Sequence, residues 1–357
     1  MSTPPASTPP ASILPARATV LRRGSTSLLV DRRGTTIGVL ALLLALGLAA
    51  WSLGLGELRF TSEDIGRILL GGGTLIEHDV VVGTRLPRAI VAVLVGAALG
   101  ASGQVLQRIA ANPLASPDVL GISTGASLGA LVSLLLIGGS AVVTMVGALA
   151  GAAIASVLVI GIAHRQGASG YRIILVGIGV GALGSSLIAL ILTRAESYAA
   201  HSAAIWLTGS LSNRGWTHVQ VIAVALLVGV PALAVLSRHL PVLELGDDLA
   251  QILAGRAAAL RIGLVAVACG LAALATAAAG PIAFVALVAP QISRLLLGGR
   301  TGGPFLSAGI GAVLVISADL AAKHLFPVEL PVGILTACLG APVLLVLLAR
   351  AARKGSA

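Results

Sequence analysis

The sequence predicts an all-α polytopic membrane protein with about ten transmembrane helices. Hydrophobic residues make up 57% of the 357 residues and charged residues only 10%, which gives a mean hydropathy of +1.04. Aromatic residues contribute just 3%, so Ala, Val, Leu, Ile and Gly carry the hydrophobicity, as is typical of closely packed membrane helices. A soluble protein of this length would need far more surface charge.

The N-terminal segment differs from the rest in composition. Residues 1–36 are rich in Pro, Ser and Thr and carry five arginines, so we expect a disordered, basic cytoplasmic tail. The next apolar run is too long for a signal-peptide core and is followed by further runs, so it is the first membrane helix. We expect residues 37–350 to form one ten-helix transmembrane domain and residues 351–357 a cytoplasmic tail.

A bilayer core requires about 20 apolar residues per helix. The segments that meet this requirement are 37–55, 88–108, 118–137, 141–163, 171–193, 217–237, 262–280, 282–297, 304–322 and 332–349.

The distribution of basic residues gives the orientation. With the N-terminus inside and ten spans, 16 of the 23 Lys and Arg residues fall on the inner side and seven on the outer side. Because inner loops carry the excess of Lys and Arg, both termini should be cytoplasmic, in a multi-pass protein of the plasma membrane.

A polar, proline-broken corner, NPLASPDVLGISTGAS (112–127), separates the second and third spans. Asn112-Pro113 and Ser116-Pro117 prevent the helix from continuing, because proline lacks the backbone donor and restricts the residue before it. Ser116 or Asp118 is then available to cap the next helix. A tight loop with no further role and a functional corner both fit these residues.

The segment 241–261 is too polar to span the membrane. Leu245, Leu249, Ile252 and Leu253 recur at helical spacing, so the pattern predicts an amphipathic helix that a break at Gly255 separates from the seventh span. Such a helix can lie on lipid headgroups or dock into a cytoplasmic partner. Its acidic residues favour a protein partner over anionic lipid.

Two spans near the C-terminus carry unusual residues. The eighth is short, opens with Gly280-Pro281 and contains Pro290, which predicts a bend. In the ninth, Asp319 and Lys323 are four residues apart, so they are expected to pair on one helix face near the outer surface.

Several function classes are excluded. The chain has two lysines, and neither follows a glycine, so a phosphate-binding GxxxxGK[ST] loop is impossible. No group of His, Cys, Asp or Glu has metal-ligand spacing, so neither a metal nor a cofactor is expected. The basic residues lack interleaved aromatics, which argues against nucleic acid. Buried carboxylates of the kind found in proton-coupled pumps are missing from the spans, so energy for uphill transport would come from another subunit.

Seven motifs together carry a resemblance to a known family. They are RLPR (85–88), VGAALGASGQVLQ (95–107), NPLASPDVLGISTGAS (112–127), WLTGSL (206–211), LGDDLA (245–250), GPIAFVALVAPQISR (280–294) and ADLAAK…ELPVGILTACLGAP (318–342). Over roughly residues 37–350 the chain resembles the FecCD-type permeases, which are ten-helix subunits of ABC importers for ferric siderophores, haem and vitamin B12. The resemblance implies a type II ABC importer permease fold.

The resemblance also implies roles for particular residues. The polar corner would lie near the contact with the ATPase, with Asn112, Pro113, Leu114, Pro117 and Gly121. The LGDDLA stretch would form the coupling helix that sits in a cleft of the ATPase, with Leu245, Gly246, Asp247, Asp248, Ala250 and Gly255. An extracytoplasmic solute-binding protein would dock on Arg85, Arg88 and Lys323.

The implied complex contains several partners and no enzymatic activity in this chain. A second permease subunit, identical or homologous, would complete the translocation path, two ATP-binding subunits would hydrolyse ATP, and membrane lipid would surround the helices. Small-residue surfaces such as GAALGAS (96–102) suit close packing within the subunit or across a dimer.

The sequence departs from the family pattern in the eighth span. Ala283, Ala286 and Gln291 stand where the family usually has two glycines and a histidine. We expect a permease for ferric siderophores. Import of vitamin B12 or haem, and a secondary transporter or channel that works without an ATPase, are the alternatives.

Overall fold

A computed structural model of the protein describes residues 18–23, 26–138, 140–165 and 170–355. Within these ranges the chain is helical apart from one N-terminal hairpin. The helices are α1 (Arg32–Gly54), α2 (Ser62–Leu69), α3 (Leu75–His78), α4 (Leu86–Ile109), α5 (Ile122–Leu136), α6 (Ala141–Arg165), α7 (Gly170–Arg194), α8 (Ser197–Leu207), α9 (Trp216–Leu236), α10 (Leu240–Leu243), α11 (Asp247–Ala254), α12 (Ala257–Ala279), α13 (Val285–Leu296), α14 (Pro304–His324) and α15 (Val332–Gly355). A π-helical segment, Asp79–Arg85, leads into α4.

Each predicted span contains a helix, but their lengths fall into two groups. Seven helices of the described chain are long and apolar enough to cross a membrane, and three apolar helices are shorter. Two of the short ones are Ile122–Leu136 and Val285–Leu296, and the third, Val332–Val343, is the first half of the 24-residue helix α15. A membrane protein with at least seven candidate spans is therefore shown, and the count of ten stays a prediction.

Proline-containing segments explain why α5 and α13 are short. The residues before α5 (112–121) and before α13 (280–284) are non-helical, and all but Pro113 are buried or partly buried. Non-helical backbone at membrane depth is tolerated where protein buries it. A short helix and the non-helical segment before it can therefore span the membrane together.

The N-terminal region differs from the expected disorder. Ala18–Arg23 (β1) pairs with Thr26–Asp31 (β2) in an antiparallel hairpin, in which Ala18 lies opposite Asp31. The Thr, Val and Leu residues of these two segments favour strands, and α1 begins at Arg32 rather than at residue 37. Residues 1–17 lie outside the described part, so the tail prediction is untested there.

Helix α4 lies at the centre of the bundle, against α9, α12, α13 and α14. Of its most apolar stretch 83% is buried, against 17% for α7. Glycines make this position possible, because a side chain at Gly96 would collide with the backbone of Gly311, and one at Gly100 with that of Ser307. The GAALGAS surface thus packs inside the subunit, against α14.

A second pair of helices uses the same packing. A methyl group at Gly125 or Gly129 of α5 would meet the backbone of α6 at Gly151 or Gly147. By contrast, α1, α6, α7 and α9 expose many large apolar side chains. These faces remain for lipid or for further subunits.

The packing of α4 gives a stability prediction. Gly96→Ala should lower the free energy of unfolding by about 1–3 kcal/mol, because the added methyl group overlaps the α14 backbone. Gly270→Ala in α12 is the matched control, since the space at its Cβ position is open. There the substitution should raise stability by up to about 1 kcal/mol, because alanine favours the helix over glycine. Thermal unfolding in detergent tests both, and equal losses in the two variants would contradict the packing.

Candidate functional site

Helix α4 carries an arginine near each end, and each arginine forms an ion pair. Arg88 and Arg108 are 20 positions apart, which is about 30 Å along an α-helix and equals the thickness of a bilayer core. Arg108 marks what we term the corner end of the bundle, and Arg88 marks the far end. Both groups of residues that the sequence singled out lie at these ends.

At the corner end, α4 stops at Ile109 and the chain turns back on itself. The Asn112 amide N–H donates to the Gln107 carbonyl over 3.1 Å, and the Asn112 side-chain oxygen accepts from the Leu114 N–H over 2.9 Å. Ala111 is held in the left-handed region, with φ 47°. The asparagine therefore supports the turn that Pro113 begins.

The second half of the corner is stabilised differently from the expected helix cap. Gly121, with φ 72°, immediately precedes α5, and a side chain there would collide with the backbone of Gly181 in α7. Ser116 Oγ accepts from the Val119 N–H over 3.3 Å, and Asp118 Oδ1 accepts from the Ser123 hydroxyl over 2.6 Å. Both side chains order the corner, and neither caps the first turn of α5.

The segment 241–261 contains two short helices, where the sequence suggested one. Gly246, with φ 98°, separates α10 from α11, and Gly255, with φ 64°, separates α11 from α12. Ala250 is fully buried, whereas Leu249, Ile252 and Leu253 are 52%, 78% and 63% exposed. The side chains of Asp247 and Asp248 lie outside the described part. Helix α11 thus presents an exposed apolar face.

An ion pair joins this segment to α4. Arg108 donates from Nε and Nη2 to the two carboxylate oxygens of Glu244, over 2.6 and 3.0 Å. A polar cavity of about 260 Å³ lies beside the pair and is also lined by Asn112 and Gln291. The corner, the end of α4 and the segment 241–261 therefore form one site.

Two glutamines bring helix α13, which contains Pro290, into the same site. Gln291 Nε2 donates to Gln107 Oε1 over 2.6 Å and to the Pro113 carbonyl over 3.3 Å. Gln107 Nε2 donates to the Leu287 carbonyl over 3.0 Å. Sequence analysis missed the role of Gln107, Arg108 and Glu244. Polar side chains are rare in apolar runs, and this rarity was the signal by which these three residues could have been found.

At the far end, Arg88 is buried between two carboxylates. Its Nη2 lies 2.6 Å from Asp319 Oδ1 on α14, and its Nη1 lies 2.6 Å from Glu329 Oε1 in the loop before α15. The predicted pairing of Asp319 with Lys323 is therefore wrong, because the buried guanidinium of Arg88 binds both oxygens of this carboxylate, Oδ2 from Nε and Oδ1 from Nη2.

Glu329 is bound from two sides. The Ser212 hydroxyl donates to Glu329 Oε1 over 2.8 Å. Partial burial opposes ionisation, but the Ser212 hydrogen bond and the charges of Arg88 and Lys323 hold the pKa of Glu329 below its ordinary value. The loop before α15 is thereby attached to α4 and to the loop before α9.

The three residues expected to dock a partner differ in availability. Arg88 is engaged as described. Arg85 donates to the carbonyls of Leu53 and Leu58, over 2.8 Å each, and its guanidinium lies over the Phe60 ring. Lys323 is half-buried, and among the described residues no carboxylate lies within ion-pair distance of its amine. Of the three, Lys323 is the cation that internal contacts occupy least.

No group of three or more His, Cys, Asp or Glu residues that could hold a metal ion occurs in the described part of the chain. Of the two cysteines, Cys269 is buried and Cys338 is exposed, and both are free thiols.

Known proteins share this architecture. The chain is 39% identical over 85% of its length to the ferric enterobactin transport system permease protein FepG of Escherichia coli, 92% of which is covered. It is 39% identical over 88% of its length to the Fe(3+)-citrate import system permease protein YfmE of Bacillus subtilis, 95% of which is covered. A solved structure, an inward-facing conformation of a metal-chelate type ABC transporter, superposes on this chain with a TM-score of 0.78 at 28% sequence identity. The superposition covers 88% of this chain and 99% of the solved chain. Residues 42–350, which are most of the chain, match the FecCD transport family, so the chain belongs to that family.

Proposed function

We propose that this chain is the permease subunit of an ATP-driven ABC importer that carries ferric siderophores across the plasma membrane. The observation that carries the proposal is the chemistry named for its relatives. Two permeases at 39% identity are named for ferric enterobactin and for Fe(3+)-citrate, which are different iron(III) chelates. The common element is the chelated ferric ion, so the chelator of this chain's substrate is to be found by experiment.

The energy source would be a separate pair of ATP-binding subunits. The sequence excludes a phosphate-binding loop in this chain. The exposed side chains of Leu249, Ile252 and Leu253 on α11 suit insertion into an apolar cleft of a partner protein. Segment 241–261, together with the corner at Asn112–Gly121, is our proposed contact with the ATPase.

The proposed assembly contains two permease subunits, each with ten spans and both termini in the cytoplasm. Support for the orientation comes from the 16-to-7 distribution of Lys and Arg, which makes the corner end cytoplasmic. Support for a second subunit comes from the many exposed apolar side chains on α6, α7 and α9. In the described part of the chain the buried helix α4 occupies the centre of the subunit.

The far end would receive an extracytoplasmic solute-binding protein. Lys323 and the half-buried Arg85 supply positive charge at this surface, and an acidic patch on the partner would match it. Complementary charge of this kind mainly speeds encounter and fixes orientation. In this proposal Arg88 acts indirectly, because it holds α14 and the loop before α15 in place.

Reconstituted transport tests the function. Proteoliposomes that contain the whole complex, with the binding protein added outside, should accumulate iron supplied as a ferric catecholate, citrate or hydroxamate complex, and uptake should stop when ATP is removed. Cobalamin and haemin are the competing substrates in the same assay. Uptake of only these two would replace the siderophore assignment, and uptake without the ATPase subunits would contradict the importer class.

The apolar face of α11 gives a second prediction. Leu249→Glu combined with Ile252→Glu should weaken binding of the ATPase subunits about tenfold or more, because exposed apolar residues at interface centres dominate affinity. Leu325→Glu, at a residue that is 73% exposed at the far end, is the matched control. Co-purification at graded ATPase concentrations measures the effect. Equal recovery of ATPase with both variants would remove α11 from the contact.

Lys323 gives a prediction for docking. Lys323→Glu should slow association of the binding protein about tenfold at low salt, and added salt should slow association with the wild type through screening. Arg194→Glu reverses another exposed charge expected on the same side. Association rates against ionic strength decide the matter: if both variants match the wild type, Lys323 does not belong to the docking surface.

Arg88 should affect stability instead. Arg88→Met leaves Asp319 buried without its partner and should cost about 3–5 kcal/mol of unfolding free energy. Arg88→Met combined with Asp319→Leu should recover most of that loss, because an apolar pair replaces the ion pair. Thermal unfolding of the three proteins compares them. A stable single variant that binds the solute-binding protein weakly would show direct docking through Arg88.

A further inference from the structure

One side chain of α4 holds α13 on both sides of its proline. Gln107 Nε2 donates to the Leu287 carbonyl before Pro290, and Gln107 Oε1 accepts from Gln291 Nε2 after it. Because proline removes one backbone hydrogen bond, a helix bends most readily at that point. The contacts of Gln107 therefore lie on either side of the point at which α13 bends most readily.

The orientation of both amides follows from their partners. Leu287 and Pro113 offer carbonyl oxygens, which only accept, so the Nε2 groups of Gln107 and Gln291 must face them. The Oε1 of Gln107 is then left to accept from Gln291. Reversing either amide would place two oxygens against each other. The three contacts consequently form one defined arrangement, which we call the amide bridge: Gln107, Gln291 and the carbonyls of Leu287 and Pro113.

The amide bridge is continuous with the segment 241–261. Arg108, the residue after Gln107, binds Glu244 with two hydrogen bonds. Pro113 belongs to the corner. A displacement of the segment or of the corner would therefore move α13, because each residue along this route contacts the next.

We propose that Gln107 and Gln291 are positioning residues that convert movement of segment 241–261 into a change of the bend of α13 at Pro290. This inference rests on the proposed function, in which an ATPase moves that segment. Neutral amides suit such a role. Both glutamines are buried, with exposures of 8% and 7%, and exchanging a buried amide hydrogen bond costs far less than separating a buried ion pair.

The test uses the complete importer in proteoliposomes and measures solute molecules imported per ATP hydrolysed. Gln291→Met keeps the length of the side chain and removes both donated hydrogen bonds. The ratio should fall about tenfold, as expected for the loss of one or two buried hydrogen bonds from the productive state. Gln107→Met should give a similar fall, since it removes the same arrangement from the α4 side.

Gln104→Met is the matched control. Gln104 is a buried glutamine on the same helix, 3% exposed, but its Oε1 accepts from Ser307 of α14 and takes no part in the amide bridge. Its substitution should leave the import-to-hydrolysis ratio within about twofold of the wild type. An equal fall in the Gln104 and Gln291 variants would show a general packing effect and overturn the proposal.

A double-mutant cycle tests the connection to the segment. Glu244→Gln removes the charge that binds Arg108, and Gln291→Met removes the bridge. If both act through one chain of contacts, the double variant should be little worse than the more impaired single variant. Multiplying effects would show that the segment reaches the pathway by another route.

Two further measurements distinguish a failure of the proposed function from a failure of the amide bridge. Gln291→His retains a ring N–H donor at this position and should recover part of the ratio, which also covers the case that Gln291→Met fails to assemble. A wild-type complex that imports nothing while hydrolysing ATP would contradict the proposed function. A wild type that imports normally, beside a Gln291→Met complex with an unchanged ratio, would contradict the amide bridge alone.

Discussion

The burial of α4 is the constraint on which the rest of the structure depends. Neighbouring helices surround this helix, so its surface must consist of small residues wherever another backbone approaches, as Gly96 and Gly100 do against α14. Polar side chains within it are stabilised by partners on those neighbours, because a buried polar group without a hydrogen bond is costly. Ser102, for example, donates to the Ala268 carbonyl of α12 over 2.7 Å. The identity of the residues on α4 therefore fixes which helices can lie beside it.

The two ends of α4 stabilise their buried polar side chains with different kinds of contact. At the far end a buried guanidinium is held by two carboxylates, an arrangement that is costly to open because a separated charge would remain in the protein interior. At the corner end the buried contacts are neutral amides, and the ion pair of Arg108 involves the exposed Glu244. Opening the far end would therefore cost more free energy than opening the corner end, where the segment 241–261 lies.

Much of the fold, but little of the site, could be predicted from the sequence. Hydropathy located a helix in every predicted span, since apolar length is a local property. The partner of Asp319 could not be found in this way, because helical spacing points to Lys323 while the actual partner, Arg88, lies 231 residues away in the chain. The same holds for Gln291, whose contact Gln107 is 184 residues distant. The hairpin at Ala18–Asp31 was missed because the Pro, Ser and Thr content of residues 1–36 indicates disorder, although the region contains two short strand-forming segments.

Two of the three residues that the sequence analysis singled out in the eighth span, Ala286 and Gln291, lie at the contact between α13 and α4. Ala286 is buried, and its carbonyl lies so close to Gly103 that a side chain on α4 would not fit there. This close approach brings α13 near enough for Gln107 to reach both Leu287 and Gln291. An amide at position 291 then supplies two donors without a charge that would need a counterion in the protein interior. Glycine on α4 and glutamine on α13 thus act together: the first permits the approach, and the second uses it to join α13 to the corner.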